Sequence, residues 1–241
     1  MQEISHLTNT EILEIINILP FFSPFNSDER VRFAGSYSRI CLYHTGEFLI
    51  QEGGDDQSLF ILLAGAASVV KEGASIPLSV LEPGQMFGEV GFVMQRKRTS
   101  NIIAHPPAPV GSSAQQQLRS AIRSACLALS IPIDPAFTTM AIQFHRDILQ
   151  QQKRATRIKL KEQIIQCLTT RVEGIHEQLT RLTEWTPLLS LDQELESALR
   201  HPPPLSLAEL ERTKERIIEQ LIGFMEELNQ QWIFCVTSAH V

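Results

Sequence analysis

The chain has 241 residues and a formal net charge of −6, with 43% hydrophobic and 20% charged side chains. This length allows one or two domains with a substantial core, and the composition excludes a wholly disordered chain and a polycationic nucleic-acid binder. The four cysteines lie far apart, and no apolar stretch is long enough for a membrane span. We therefore expect a cytoplasmic protein with reduced thiols and no secretory signal.

The first third of the chain combines two short helices with a series of short strands. Residues 7–19 carry apolar side chains at helical spacing, and Pro20 ends this first helix. The second helix begins at Asn26 or Ser27, either of which can cap its first turn. Short strands separated by glycine turns follow, which predicts a β-sandwich or β-roll. The predicted strands are Arg39–His44, Glu47–Gln51, Ser58–Leu63, Ala66–Lys71 and Ile76–Leu81.

The pattern changes after this region. Residues 105–124 contain three prolines and a run of glutamines, which indicates an exposed loop or an insertion. Residues Cys126–Ile131 predict one more strand, and from Asp134 onward the spacing predicts mostly helix. We therefore divide the chain into residues 1–145, which include the insertion, and a helical region over residues 146–241.

The helical region carries a long apolar stripe. Its members recur at alternating intervals of three and four residues, the heptad spacing of a coiled coil: Ile165, Leu168, Val172, Ile175, Leu179 and Leu182. This stripe is either the seam of a dimer or a face that packs against the chain's own last helix, and we favour a homodimer through the helix around residues 148–182. A shorter helix is predicted over about Leu191–Leu199. The last helix begins at Ser206, which forms a capping-box pattern with Glu209.

The most informative stretch, residues 83–104, predicts an anion site. Gly88 permits a close backbone approach that a Cβ would block, and the residues after it can form a short helical turn with free N–H groups. Arg98 lies at the head of the next strand and can return to the same spot with a planar pair of donors. Thr99 and Ser100 add hydroxyl groups there.

Glu89 places a carboxylate beside this predicted anion site. A carboxylate repels a bound phosphate, unless it accepts a hydrogen bond from a neighbouring hydroxyl group of the ligand. An anionic ligand that carries a sugar hydroxyl next to its phosphate meets this requirement.

These residues resemble the cyclic nucleotide-binding domains, also called cyclic-AMP receptor-like domains. The resemblance covers roughly residues 12–104 and continues from residue 126 to about residue 168. It rests on residues that stand in the family's order and spacing: Gly46, Gly53, Gly65, Gly84, Gly88, Glu89 and Arg98. The resemblance implies an α+β fold, in which a jelly-roll-like β-roll is followed by an extended, all-helical C-terminal region.

The resemblance also implies the roles of the site residues. Glu89 accepts the ribose 2′-hydroxyl group, and Arg98 pairs with the cyclic phosphate. Backbone N–H groups of residues 88–90 and the Thr99 hydroxyl complete the phosphate cradle, and a C-terminal helix closes over the base. The ligand is cyclic AMP or cyclic GMP, of which we favour cyclic AMP. The predicted binding residues are Gly88, Glu89, Val90, Arg98, Thr99 and Ser100.

The sequence departs from the family pattern at two places. Lys97 precedes Arg98 where the family usually has a proline. The insertion at residues 105–124 lies where the family has a short turn between two strands.

Enzyme chemistry is not indicated. The seven histidines have no spacing typical of a metal site, and the sequence has no nucleophile elbow, Walker loop or Rossmann glycine motif. We therefore expect no catalytic residue and no metal. The acidic side chains of Glu52, Asp55 and Asp56 are expected to lie on a solvated turn.

The leading hypothesis is a non-catalytic receptor that passes ligand binding through its helical region to an effector protein. The alternative is a DNA-binding regulator of the cyclic-AMP receptor type, but residues 205–234 lack the turn glycine and basic second helix of a helix-turn-helix motif. The basic run from Arg146 to Lys161 is either a nucleic-acid-binding face or a solvated helix exterior, and we favour the latter. A ligand-free assembly module is the third possibility.

Overall fold

The structure is a computed structural model that describes residues 1–4, 6–72, 77–106, 113–129, 131, 137–183 and 206–238. By its internal contacts the chain divides into two units, Met1–Gln152 and Lys153–Val241. In the described part of the chain the helices are α1 (Asn9–Ile18), α2 (Ser27–Phe33), α3 (Glu89–Met94), α4 (Ser113–Ala128), α5 (Arg154–Thr183) and α6 (Leu207–Ser238), with short 3-10 turns at Pro20–Phe22 and Arg146–Gln151.

Side-chain caps fix where the first two helices begin. The Thr8 hydroxyl accepts a backbone N–H at the start of α1, and the side-chain oxygen of Asn26 does the same for α2. In both helices, the carboxylate of the third residue accepts the backbone N–H of the cap, which completes a capping box. The cap of the second helix is therefore Asn26, which is one of the two cap positions that we predict.

Two antiparallel sheets form the body of the first unit. Their strands, within the described residues, are β1 (Gln2–Glu3), β2 (Ser38–His44), β3 (Phe48–Ile50), β4 (Leu59–Ala64), β5 (Ala66–Val70), β6 (Ser79–Leu81), β7 (Met86–Phe87), β8 (Asn101–His105) and β9 (Phe137–Phe144). Sheet A has the order β1-β2-β9-β4-β7, and sheet B has the order β3-β8-β5-β6. Each of the five predicted strands overlaps one of β2 to β6, so the predicted β-roll is confirmed.

The core of the first unit covers both faces of sheet A. On the face that turns toward sheet B, Phe60 of β4 and Phe87 of β7 are cross-strand neighbours within sheet A. Their rings stack with 5.2 Å between the centroids. On the opposite face, Phe22 of the N-terminal segment packs against Phe33 of α2 and Phe144 of β9. Burial on both faces explains why β4 reads as a continuous apolar run rather than as an alternating one.

The segment after β8 corrects two predictions. Helix α4 occupies much of residues 105–124, which we predict as an exposed loop, and it includes Cys126, which we predict to start a strand over Cys126–Ile131. Ile122 and Cys126 are both buried and lie four residues apart, which is helical spacing. The three prolines all precede the helix, so they do not interrupt it. The exposed loop over residues 105–124 and the strand over Cys126–Ile131 are therefore wrong, whereas an insertion at this place stays a prediction.

Strand β9 is a strand that we do not predict, within a part of the chain that is otherwise mostly helical from Asp134 onward over the described residues. It lies at the centre of sheet A, where it pairs with β2 on one side and β4 on the other. Its β-branched residues Thr138, Thr139 and Ile142 favour a strand, and two neighbouring strands satisfy its backbone groups.

The second unit consists, in its described part, of α5 and α6 packed side by side. The Ser206 hydroxyl accepts the Glu209 N–H, and the Glu209 carboxylate accepts the Ser206 N–H, so the predicted capping box is present. The shorter helix predicted over Leu191–Leu199 lies outside the described residues. None of the helices in the described ranges is both long and apolar enough to cross a membrane.

Ion pairs join the two long helices. The Nε of Arg157 lies 2.8 Å from a Glu211 oxygen, and the Nζ of Lys161 lies 2.6 Å from a Glu215 oxygen. Because the numbers of the partners rise together, the two helices run parallel. Much of the basic run that we predict as a solvated helix exterior is thus paired with acidic side chains of the same chain.

Two residues of the apolar stripe of α5 are buried within a single chain. Ile165 is 5% exposed and Leu168 is fully buried. This burial favours the predicted alternative in which the stripe packs inside the chain. Over residues 207–238 the chain forms one continuous helix, which contradicts a helix-turn-helix motif in that segment.

Burial on its own raises the pKa of the Glu211 carboxyl group, but the hydrogen bond from Arg157 and the charges of Lys161 and Arg157 outweigh this, so its pKa lies below the ordinary value of 4.5. A lowered pKa adds stability that is present above the ordinary pKa and is lost as the pH falls through the folded-state pKa. We expect Glu211→Gln to lower the free energy of opening of α5 and α6 by about 1–2 kcal/mol at pH 7.

Hydrogen exchange at the backbone amides of α5 and α6 measures this loss. The difference between the variant and the parent should shrink as the pH is lowered below 4. Glu219→Gln, at an exposed position of α6, is the matched control and should have little effect. An equal effect of the two substitutions would contradict the role of Glu211.

Candidate functional site

The candidate site lies where three segments of the first unit meet. These segments are the loop between β3 and β4, the turn that begins α3, and Arg98, which precedes β8. The backbone N–H of Gly53 donates to the Arg98 carbonyl at 2.8 Å, and the Arg98 N–H donates to the Gly54 carbonyl at 2.9 Å. This pairing fixes the backbone of Arg98 against the β3–β4 loop.

The turn before α3 requires glycine at position 88. Gly88 has a φ of 83°, a left-handed conformation that side chains with a Cβ rarely adopt. A Cβ at this position would lie 2.9 Å from the Ser58 carbonyl oxygen and 3.0 Å from Nη1 of Arg98. The predicted close approach at Gly88 is therefore present, and the groups that approach include the Ser58 carbonyl and the guanidinium of Arg98.

A second glycine makes room for the same guanidinium. A Cβ added to Gly91, within α3, would lie 2.8 Å from Nη1 of Arg98 and 3.1 Å from its Cζ. Contacts this short do not occur between real Cβ atoms and their neighbours, so any larger residue at position 91 displaces the arginine.

The Arg98 side chain is buried and donates three hydrogen bonds. Its exposed fraction is 3%. Nη1 donates to the Gly88 carbonyl at 2.7 Å, and Nη2 donates to the Asp56 carboxylate at 2.6 Å and to the Ser58 carbonyl at 2.7 Å. The guanidinium also lies near the face of Phe60, with 5.9 Å between Cζ and the ring centroid.

One donor of Arg98 is unused. Its Nε is buried and has no hydrogen-bond partner among the described residues. A buried donor without a partner carries a free-energy cost of about 1–3 kcal/mol, which is larger for a charged group. This N–H is therefore available to an acceptor that enters the site.

Asp56 is the charged partner of Arg98. One carboxylate oxygen receives the Arg98 hydrogen bond, and the other accepts the Ser58 hydroxyl at 2.8 Å. Burial alone raises the pKa of the Asp56 carboxyl group, but the hydrogen bonds from Arg98 and Ser58 outweigh it, so the pKa lies below its ordinary value. Asp56 therefore remains a carboxylate at neutral pH, and its 45% exposed side chain is also partly solvated.

A hydrogen-bonded chain leads from this ion pair to the centre of sheet A. The side-chain amide of Gln143, on β9, donates to the Ser58 hydroxyl at 2.7 Å, and the Gln143 oxygen accepts Nε of Arg39 at 2.9 Å. Ser58 is fully buried, and Gln143 is 5% exposed. The position of Asp56 is thus tied to β9 through two buried polar side chains.

The structure brings the predicted site residues onto two adjoining segments. Glu89 is 3% exposed and Val90 is 7% exposed, at the start of α3 next to Gly88. Thr99 and Ser100 follow Arg98 and are half-buried. The hydrogen bond between Gly88 and Arg98 joins the segments directly.

Sequence reasoning missed part of the site. The sequence predicts Asp56 on a solvated turn and assigns no role to Ser58 or Gln143. It predicts Gly91 as part of the short helical turn, but not as the residue that leaves space for Arg98. Asp56 lies 42 positions before Arg98 in the sequence, so local patterns do not indicate their contact. The neighbouring pair Gly53 and Gly54 was the one available sign, because consecutive glycines indicate that another backbone approaches closely.

Over the described ranges, no group of three or more His, Cys, Asp or Glu side chains is placed to hold a metal ion.

Comparison with known proteins places this site in context. Residues 41–125 match the family model described as the cyclic nucleotide-binding domain. The cAMP-dependent protein kinase regulatory subunit of Neurospora crassa is 30% identical over 115 residues, which cover 46% of this chain and 29% of that protein. The corresponding subunit of Emericella nidulans is 27% identical over 86 residues, which cover 36% of this chain and 21% of that protein. The chain thus spans less than a third of the length of these curated relatives.

A solved structure shows the same fold. The crystal structure of a cyclic nucleotide-binding domain from Methylobacillus flagellatus superposes with a TM-score of 0.51 at 19% identity, over 75% of this chain and 86% of that chain. The chain therefore contains the cyclic nucleotide-binding fold, and its residues 41–125 match that family by sequence.

Proposed function

We propose that the first unit binds a cyclic nucleotide whose phosphate is held at Arg98. The observation that carries this proposal is the buried guanidinium of Arg98, which faces the backbone of Gly88 and Gly91 and retains an unpartnered Nε–H. A phosphate oxygen supplies the acceptor that this donor lacks, and a guanidinium binds phosphate through two parallel hydrogen bonds.

The surrounding residues suit the rest of such a ligand. The backbone N–H groups of Val90 and Gly91, in the first turn of α3, have no acceptor within the helix, which suits a second phosphate oxygen. The Glu89 carboxyl group, on the same turn, is assigned to the ribose 2′-hydroxyl. Val90, Thr99 and Ser100 complete the proposed binding set.

We favour cyclic AMP over cyclic GMP. The matched relatives from Neurospora crassa and Emericella nidulans are named as regulatory subunits of a cAMP-dependent protein kinase. Their names support cyclic AMP as the first ligand to test, with cyclic GMP as the comparison.

The chain acts as a non-catalytic regulator in this proposal. Ligand binding in residues 1–145 changes the helical region over residues 146–241, which passes the change to an effector protein. Two contacts support β9 as the route. Gln143 reaches the site through Ser58, and Arg146, directly after β9, donates its Nε to the Phe92 carbonyl of α3 at 2.9 Å. The energy for the change comes from a difference in ligand affinity between two conformations.

The DNA-binding alternative has less support. One continuous helix covers the residues that a helix-turn-helix motif would need, and Arg157 and Lys161 are engaged by Glu211. A homodimer through the helix around residues 148–182 remains part of the proposal. Such a dimer would use residues of α5 other than Ile165 and Leu168, which are buried inside one chain.

Arg98→Lys retains the positive charge but removes the planar pair of donors. We expect this variant to bind cyclic AMP about 10- to 100-fold more weakly, because each hydrogen bond to a charged group contributes about 1.5–3 kcal/mol. Calorimetric titration of the full chain with cyclic AMP and cyclic GMP measures the change.

Arg96→Lys is the matched control for this titration, since Arg96 is exposed in the same loop. It should leave the dissociation constant nearly unchanged. The absence of binding by the parent chain to either nucleotide, or equal affinities of Arg98→Lys and the parent, would refute the proposed site.

Gly91→Ala tests whether the position of the guanidinium matters. The added Cβ overlaps Nη1 of Arg98, so we expect at least tenfold weaker binding of cyclic AMP while the β-roll remains folded. Gly174→Ala, at a helical glycine with open space around its Cβ position, is the steric control and should bind normally. Normal binding by Gly91→Ala, measured by the same titration, would show that Arg98 does not hold the phosphate in the observed position.

A further inference from the structure

The charge balance at Arg98 leads to an inference about ligand selection, which rests on the proposed function. We propose that Asp56 is an exchangeable counter-ion of Arg98 and that it makes the site select ligands by charge. A phosphodiester with one negative charge replaces the Asp56 carboxylate at the guanidinium, whereas a phosphomonoester with two negative charges binds more weakly.

One edge of the Arg98 guanidinium carries an unpartnered donor. The Nε–H and one Nη2–H of an arginine lie on the same edge and together form a two-donor fork for a phosphate. In Arg98 the Nε–H is unpartnered, but Nη2 already donates to the Asp56 carboxylate and to the Ser58 carbonyl. Two-point binding of a phosphate on this edge therefore requires Nη2 to release one of its acceptors.

The two acceptors of Nη2, the Asp56 carboxylate and the Ser58 carbonyl, differ in how freely they can move away from it. The Ser58 carbonyl belongs to a fully buried residue that directly precedes β4. The Asp56 side chain is 45% exposed and lies on the β3–β4 loop. A rotation of the Asp56 side chain moves its carboxylate into water, and the strand stays in place. Asp56 is therefore the group that gives way.

The charge of the ligand decides how well it replaces Asp56 beside Arg98. Arg98 and Asp56 form a pair whose formal charge is zero, and a monoanion that replaces the carboxylate restores that balance. A dianion brings one charge in excess, close to a displaced carboxylate that remains on the loop. Coulomb repulsion is proportional to the charge of the ligand, so Asp56 disfavours a dianion with about twice the free energy that it costs a monoanion.

Cyclic AMP and 5′-AMP test this selection, because they share the base and the ribose and differ in phosphate charge. At pH 8 the monoester of 5′-AMP is a dianion, since its second pKa is about 6. Titrations use the full chain, with 5′-AMP measured by displacement of a fluorescent cyclic AMP analogue. The variants are Asp56→Asn, which keeps an acceptor for Arg98, and Asp55→Asn, which removes the same charge from an exposed neighbour.

We expect Asp56→Asn to tighten cyclic AMP binding about tenfold and 5′-AMP binding by a larger factor, up to about a hundredfold. The loss of competition for Nη2 helps both nucleotides equally, whereas the loss of repulsion helps the dianion about twice as much. Asp55→Asn should change both affinities less than threefold and leave their ratio unchanged. Ser58→Ala removes the hydroxyl that holds Asp56 but keeps the carboxylate, so it should tighten cyclic AMP binding a few fold without changing the ratio. This variant also provides the test if Asp56→Asn does not fold.

Several results would overturn the inference. Weaker binding of both nucleotides by a folded Asp56→Asn variant would mean that Asp56 positions Arg98 rather than competing for it. An equal gain for the two nucleotides would remove the selection by charge. If the parent chain binds neither nucleotide, the proposed function itself fails, whereas the inference alone fails if the parent binds cyclic AMP and Asp56→Asn does not tighten it.

Discussion

The burial of the Arg98 guanidinium is the constraint on which the candidate site depends. A cation removed from water is costly unless hydrogen-bond acceptors and an opposite charge replace the water. Here the acceptors are the carbonyl groups of Gly88 and Ser58, and the opposite charge is Asp56. These partners come from separate segments, so the arginine joins the β3–β4 loop to the turn of α3. The glycine at position 91 leaves the space that the guanidinium fills.

The same arrangement suits the binding role that we propose for Arg98. Its carbonyl acceptors hold the side chain in place, the Asp56 carboxylate balances the charge, and the Nε–H remains without a partner. In the proposed function the Arg98 side chain is therefore held in place before the phosphate binds, and little reorganisation of the arginine is needed. Within the first unit, Ser58 connects this site to Gln143 of β9, and Phe92 connects α3 to Arg146 in the 3-10 turn after β9.

Local features of the sequence account for what could be predicted. These features are the glycine turns between β2 and β6, the capping side chains at the start of α2 and α6, and the pair Gly88 and Arg98 at the site. Each of them depends on residues that are close together in the sequence. The contact between Asp56 and Arg98 depends on the closed sheet arrangement and could not be read from spacing. Helix α4 and strand β9 were missed for related reasons. The three prolines before α4 favour a loop, so the helical spacing of the residues after them was not recognised. Strand β9 is stabilised by its two partner strands in sheet A, which are distant in the sequence.

The most direct test of the central claim is the nuclear magnetic resonance signal of the Arg98 Nε–H group. It is recorded in the 15N-arginine-labelled full chain and assigned by its loss in Arg98→Lys. We predict that cyclic AMP shifts this signal downfield and slows its exchange with water, because the unpartnered donor gains a phosphate oxygen. An Arg98 signal that stays unchanged at cyclic AMP concentrations that saturate the chain would contradict the account.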